Sequence, residues 1–376
     1  MGNAFTGMQL NNFELYDGTK CNFKLYGELQ HSYFRNTMSE ILKTNMIDRF
    51  IVLLDTFMLH GNDAWFLNID TSPAKTFFWF PTDGGGGLPQ GCDRILRKID
   101  VPVAMSKFGQ KQVKEYHNID TEHIPHGVNT KMFYRMPDEE RNNLRAKYGL
   151  QDKFVIATVA RNQPRKHLDR TIKALLVLKM IKDKIPNAML FLHLDPEDPA
   201  QQLWKIRSLI QKFGLENRVV FSGMKAHQGI PDKEMVKIYN IMDCFLLTTS
   251  GEGFGLPIIE SMACEIPVVA TSYTTTHELV ENTKAGFGIK LSGVEKLNLF
   301  DLHSKEYDYR CMNGTITGSW EVERAVCDIE DAAKLIVELY KNPELRKEMG
   351  KNGRKAVLSK YDFNNVVAPA WEKLLR

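Results

Sequence analysis

Two glutamates lie eight positions apart in Glu252-Gly-Phe-Gly-Leu-Pro-Ile-Ile-Glu260, with two glycines and a proline between them. The apolar run over 244–248 predicts a strand, and the proline predicts a helix that starts at Leu256 or Pro257 and runs through Met262. Such a junction leaves the N–H groups of Gly253, Phe254, Gly255 and Leu256 at the positive end of a helix, a seat for an anionic phosphate. Carboxylates beside an anion site repel the ligand unless they take its hydroxyl groups, and a nucleotide sugar carries both. A second cluster, Arg161-Asn-Gln-Pro-Arg-Lys166, follows a strand predicted over 154–160 and precedes a helix whose apolar Leu168, Ile172, Leu175 and Leu176 share one face. A strand, a proline loop and a helix put Arg161 and Lys166 at the carboxyl end of a sheet, where open α/β sheets bind ligands. There a many-donor guanidinium and a compact ammonium could neutralise the charge that builds on a departing phosphate.

Continued through Ser261-Met-Ala-Cys-Glu-Ile-Pro-Val-Val-Ala-Thr271, the glutamate segment resembles the E-x7-E signature of retaining glycosyltransferases with the two-Rossmann GT-B fold, the glycogen-synthase-like and mannosyltransferase-like group. The resemblance covers 150–376 and, more loosely, 50–133. It implies an α/β chain of two Rossmann-like domains facing a central cleft. Residues 1–135 would form the acceptor side, 136–360 the nucleotide-sugar side, and 361–376 a helix crossing back to the first domain. By analogy Glu260 takes the ribose hydroxyls and Glu252 the transferred sugar, while Arg161 and Lys166 hold the donor diphosphate, with Arg165 the substitute if the register differs. A carboxylate suits this because it accepts from two neighbouring hydroxyls and donates nothing. The implied reaction moves a hexose from a UDP- or GDP-linked donor to a saccharide or other glycan acceptor with retention at the anomeric carbon. No nucleophile for a double displacement can be nominated, which favours front-face attack. No cofactor and no metal are expected: the D-x-D spacing that holds a divalent ion is absent, 195–198 being its nearest approach, and the histidines lack ligand spacing.

The acceptor must come from the first half. Strands are predicted over 50–54, 75–80 and 101–105 and a helix over 107–117, an alternation that indicates a parallel sheet covered on both faces. The run Phe78-Trp-Phe-Pro-Thr-Asp83 ends in four glycines, so a loop is expected there, with Trp79 available to stack on a sugar and Asp83 to bind a hydroxyl. His126, in Ile124-Pro-His-Gly-Val, reads either as an acceptor-side base or as a histidine packed between the domains. The opening strand and glycine loop usual in the family are not found before Phe50, so the first domain is expected to be shortened. Between 291 and 326 the pattern breaks down into a polar insertion with Tyr307, Tyr309 and Trp320, either a rim loop or part of the acceptor groove.

Composition bounds these readings. A chain of 376 residues exceeds the size, about 250–300, at which single cores stop growing, so two domains are expected. No window reaches the roughly 18 apolar residues of a membrane span and the polar start is unlike a signal peptide, so the expected location is cytoplasmic. Six cysteines without C-x-x-C spacing are expected to be reduced core thiols. A net charge of +3 argues for no nucleic-acid partner and leaves peripheral contact with an anionic membrane open. The alternatives are a nucleotide-sugar-binding subunit with little activity of its own and, on the same double-Rossmann fold, a sugar-nucleotide epimerase. A dehydrogenase is excluded because no strand is followed by G-x-G-x-x-G with a distal acidic residue.

Overall fold

The computed structural model describes residues 8–14, 20–26, 38–60, 64–180, 185–197, 205–225, 229–298 and 321–376. Fourteen strands are present among them: β1 Met8–Glu14, β2 Lys20–Tyr26, β3 Arg49–Leu53, β4 Lys75–Phe80, β5 Val101–Ala104, β6 Glu122–His123, β7 Phe154–Val159, β8 Ala188–His193, β9 Val219–Phe221, β10 Cys244–Leu247, β11 Val268–Thr271, β12 Gly286–Ile289, β13 Leu291–Asn298 and β14 Glu321–Cys327. Two parallel sheets carry the molecule. The first runs β3-β4-β5-β6 and the second β12-β11-β10-β7-β8-β9.

The second sheet is doubly wound. From β7 the chain lays β8 and β9 on one side, then returns to place β10, β11 and β12 on the other. The strand order therefore reverses between β7 and β10, which opens a crevice at their carboxyl ends. Central position explains their composition: Phe-Val-Ile-Ala-Thr-Val in β7 and Cys-Phe-Leu-Leu in β10 are buried at every residue, as strands covered on both faces must be. Separate apolar clusters fill the two faces. One contains Phe191, Tyr239, Phe245 and Ile259, the other Ile156, Ile172, Leu190 and Ile336.

In the first sheet β4 is buried from Thr76 to Phe78, whereas β3 lies at the edge with Ile51 and Leu53 exposed. The C-terminal segment returns to this sheet. Val128 pairs with Asp362, and the helix Ala368–Leu375 brings Trp371 edge-on to Trp79, with ring centroids 5.3 Å apart.

Two hairpins depart from the sequence expectations. β1 pairs antiparallel with β2 where the sequence shows no clear strand over 1–15 and only a short, mixed candidate over 23–29, and β13 pairs with β14 within the stretch read as an insertion. Tyr307, Tyr309 and Trp320 lie outside the described residues. Cys92, Cys244, Cys264 and Cys327 are buried free thiols. No helix among the described residues is long and apolar enough to cross a membrane.

Candidate functional site

The loops that leave β7 and β10 flank the strand-order reversal, and they carry the cationic and acidic motifs. Lys166 ends a short 3-10 turn, Pro164–Lys166, and its ammonium donates to both oxygens of Glu252 at 2.6 and 2.8 Å. Arg165 adds a third donor to the same carboxylate at 3.1 Å and lies 3.6 Å from Asp83. Glu252 is 3% exposed. Burial pushes its carboxyl up, but Lys166 and Arg165 outweigh that and hold it at about 2.

Lys166 does not mirror this shift. Burial and the neighbouring guanidinium of Arg165 lower its ammonium to about 8, because the two cations share one carboxylate. The strength of the cluster is therefore read from Glu252, and Lys166 is the member closest to losing its charge at neutral pH.

The network extends across the cleft. Arg324, on β14, donates to Asp83 Oδ1 at 3.0 Å and also to the Asp83 carbonyl. Burial opposes ionisation of Asp83, but Arg324 and Arg165 hold its carboxyl below the usual range. The resulting order is Arg324, Asp83, Arg165, Glu252, Lys166. Three cations against two carboxylates leave one positive charge, which suits an anionic ligand. Arg324 escaped the sequence reading because it sits in the stretch where the pattern breaks down; the alternation in β14 was its only signal.

The glycine loop has two uses. Gly255 has φ +105°, which a side chain rarely adopts, and it precedes the helix Leu256–Ala263. Among the described residues the amides of Gly253, Phe254 and Gly255 meet no acceptor, as an anion site requires. The other glycines allow the lobes to meet. A Cβ on Gly251 would lie 2.0 Å from the Asp83 carbonyl, and one on Gly253 would lie 2.5 Å from Pro81 Cβ. Two of the three threonines after β11 fix the loop: Thr274 Oγ1 accepts from Glu252 N at 2.9 Å, and Thr275 Oγ1 donates to the Glu252 carbonyl at 3.0 Å.

Not every candidate joins this cluster. Glu260 accepts from Tyr239 Oη at 2.6 Å; burial raises its carboxyl, and the tyrosine bond partly opposes the rise. Tyr239, on the helix Asp232–Asn240, was not foreseen. The guanidinium at Glu252 is that of Arg165, while Arg161 stands exposed just past β7. Leu256 is 40% exposed, and Phe254 is buried edge-on to His126 and Tyr361.

Of the first-sheet candidates only Asp83 reaches the network. The Trp79 indole N–H is spent on the Ile124 carbonyl at 2.7 Å, and its ring packs on His126 and Trp371. His126 lies between Trp79 and Phe254, and burial lowers its imidazole to about 4. It is thus a neutral ring packed between the two lobes. Among the described residues no group of three or more His, Cys, Asp or Glu side chains is placed to hold a metal ion.

Residues 140–298 match the family described as Glycosyl transferases group 1. Mannosylfructose-phosphate synthase of Agrobacterium fabrum is 30% identical over 188 residues, 48% of this chain and 38% of that protein. A GDP-mannose-dependent alpha-(1-6)-phosphatidylinositol monomannoside mannosyltransferase of Mycolicibacterium smegmatis is 31% identical over 202 residues, 51% of this chain and 50% of that protein. The matched part thus spans half or less of the length of these curated relatives. Among solved structures, sucrose-phosphate synthase from Thermosynechococcus elongatus superposes with TM-score 0.66 at 19% identity, over 93% of this chain and 80% of that one. The Anabaena protein HepE, solved with UDP, gives 0.63 at 19% identity over 90% and 81%. The second lobe thus carries the glycosyl transferases group 1 match over residues 140–298, and the paired parallel sheets have the GT-B architecture.

Proposed function

We propose that the protein transfers a hexose from a nucleoside diphosphate sugar to a glycan acceptor with retention at the anomeric carbon. The observation that carries this reading is the placement of Lys166 and Arg165 on Glu252 at the strand-order reversal, beside the open amides of Gly253, Phe254 and Gly255. In this reading the donor diphosphate lies along those amides. Lys166, Arg165 and the exposed Arg161 meet the charge that grows on the outer phosphate as the glycosidic bond breaks. Glu252 faces the sugar and the positive charge developing at its anomeric carbon, and Glu260, steadied by Tyr239, takes the ribose hydroxyls. Cations already stand where the leaving group would carry its charge, so the protein itself supplies the neutralisation. The departing phosphate oxygen takes the acceptor proton in a front-face step.

Relatives with mannosyltransferase names and a neighbour solved with UDP support a nucleotide-linked donor and leave its base open between uracil and guanine. We assign the acceptor side to 1–135, the donor side to 136–360, and the segment from 361 onward to the return onto the first lobe. The four-strand first sheet favours one second reading, a donor-binding subunit with little turnover. Incubation with UDP- and GDP-hexoses and a mixed glycan pool separates the two. The enzyme reading expects release of nucleoside diphosphate with a labelled, retained-configuration product. Tight nucleotide binding without release supports the subunit reading, and neither binding nor release overturns both.

A further inference from the structure

Because β3 and β4 are adjacent and parallel, the residues just past their carboxyl ends are neighbours, and both positions are aspartates, Asp55 and Asp83. They line one cavity together with Thr82, Leu88 and, from the opposite lobe, Val322 of β14. The enclosed part measures about 20 Å³, room for a single hydroxyl or water in this closed arrangement. A second depression of about 270 Å³ shares Leu88 and Val322 with it, so the groove continues along the β13–β14 hairpin.

Two polar groups on this cavity are unspent. Among the described residues nothing donates to the Asp55 carboxylate, and Thr82 Oγ1 is buried without a partner in a side chain only 5% exposed. Burial and the neighbouring Asp83 push the Asp55 carboxyl up to about 6. A polar group held in such surroundings without a partner costs stability, and a ligand hydroxyl would satisfy the Asp55 carboxylate. Asp83, though held by Arg324 and Arg165, keeps lone pairs to spare.

The charge pattern selects the ligand further. The described lining of the inner cavity contains two carboxylates and no lysine, arginine or histidine. Arg165 and Arg324 lie near Asp83 but off this lining, Arg324 bonded to Asp83 and Arg165 shared between Asp83 and Glu252. The outer depression carries one lysine, Lys296, with Glu321 and Glu323 on the same lining.

We propose that Asp55 and Asp83 bind hydroxyl groups of the acceptor, and that this acceptor is an uncharged polyhydroxy compound, a neutral glycan rather than a phosphorylated sugar. The proposal rests on the transferase reading above and names the substrate class of that same cleft. A phosphate monoester entering the inner cavity would be placed against two carboxylates, with no cation on the described lining to receive it.

The test uses the full chain, a UDP- or GDP-hexose that the protein cleaves, and two acceptor panels. One panel holds neutral methyl glycosides and disaccharides, the other hexose 1- and 6-phosphates. Transfer to the neutral panel is expected, with the acceptor KM of Asp55→Ala raised about 10- to 100-fold and that of Asp55→Asn raised less. The donor KM should change less than threefold in the same variants. If Asp55→Ala does not fold, Asp55→Asn, which preserves size, decides. Transfer only to the phosphorylated panel overturns the proposal, as does transfer to neither panel. An acceptor KM indifferent to both substitutions also overturns it, since the cavity then holds only water. Donor cleavage by the unmodified protein is scored separately, so its absence counts against the transferase reading.

Discussion

Replacing Glu252 by glutamine keeps the shape of the side chain and removes the charge on which two cations depend. The bonds at risk are two from Lys166, at 2.6 and 2.8 Å, and one from Arg165, at 3.1 Å. Stripping one partner from a buried ion pair costs about 3–5 kcal/mol. Arg165 keeps Asp83 at 3.6 Å, which places Glu252→Gln at the lower end of that range. The titration of Glu252 gives a comparable figure: a carboxyl held at about 2 instead of 4.5 contributes of the order of 3 kcal/mol at neutral pH. Because the folded value lies below the unfolded one, this contribution is complete above about pH 4.5 and is lost as the pH falls through about 2. Urea unfolding of both proteins across pH 2 to 7 reads the difference, which should be about 3 kcal/mol at pH 7 and narrow below pH 4.5. Turnover in the nucleoside diphosphate release assay should fall about 10²- to 10³-fold. A gap below about 1 kcal/mol at pH 7, or one that ignores pH, refutes the ion-pair reasoning. Near-normal turnover refutes the role at the sugar.

Lys166→Ala should lower turnover by two to three orders of magnitude, about 3–4 kcal/mol of transition-state stabilisation, read by single-turnover donor cleavage. Gly251→Ala would drive a methyl group to within 2.0 Å of the Asp83 carbonyl. It should cost about 1–3 kcal/mol in thermal unfolding, or part the lobes measurably in solution scattering. Tyr239→Phe removes the bond that steadies Glu260, so nucleotide affinity by calorimetry should fall several-fold, about 1 kcal/mol, and unchanged affinity speaks against Glu260 as a ribose ligand.

The second lobe was the legible half. Its central strands are buried apolar runs, so their length locates them: the strand expected over 154–160 is found at Phe154–Val159, and in the first lobe the helix expected over 107–117 agrees with the structure residue for residue. The glycine–proline junction placed the start of the helix at Leu256 or Pro257 for a similarly local reason, and the structure starts it at Leu256. Hairpins were harder. β13 and β14 alternate polar with apolar residues over a few positions, and their pairing depends on partners far along the chain. Arg324 therefore gave no local hint that it would reach Asp83, 241 residues away. Trp79 shows the converse limit. An aromatic residue near a glycine loop suggests a sugar platform, yet the returning C-terminal helix claims its ring. Gly253 is read from the sequence as freeing an amide, and in the structure it also admits the opposite lobe to the cluster, as does Gly251, of which the sequence reading says nothing.

In the proposed reading the crevice between β7 and β10 grips a nucleoside diphosphate through the cations after β7. Calorimetric titration of the full chain with UDP and GDP, repeated on Lys166→Ala, tests it most directly. One of the two nucleotides should bind the unmodified protein, and the substitution should weaken that binding at least tenfold. If neither nucleotide binds, or if Lys166→Ala binds as well as the parent, the account is contradicted.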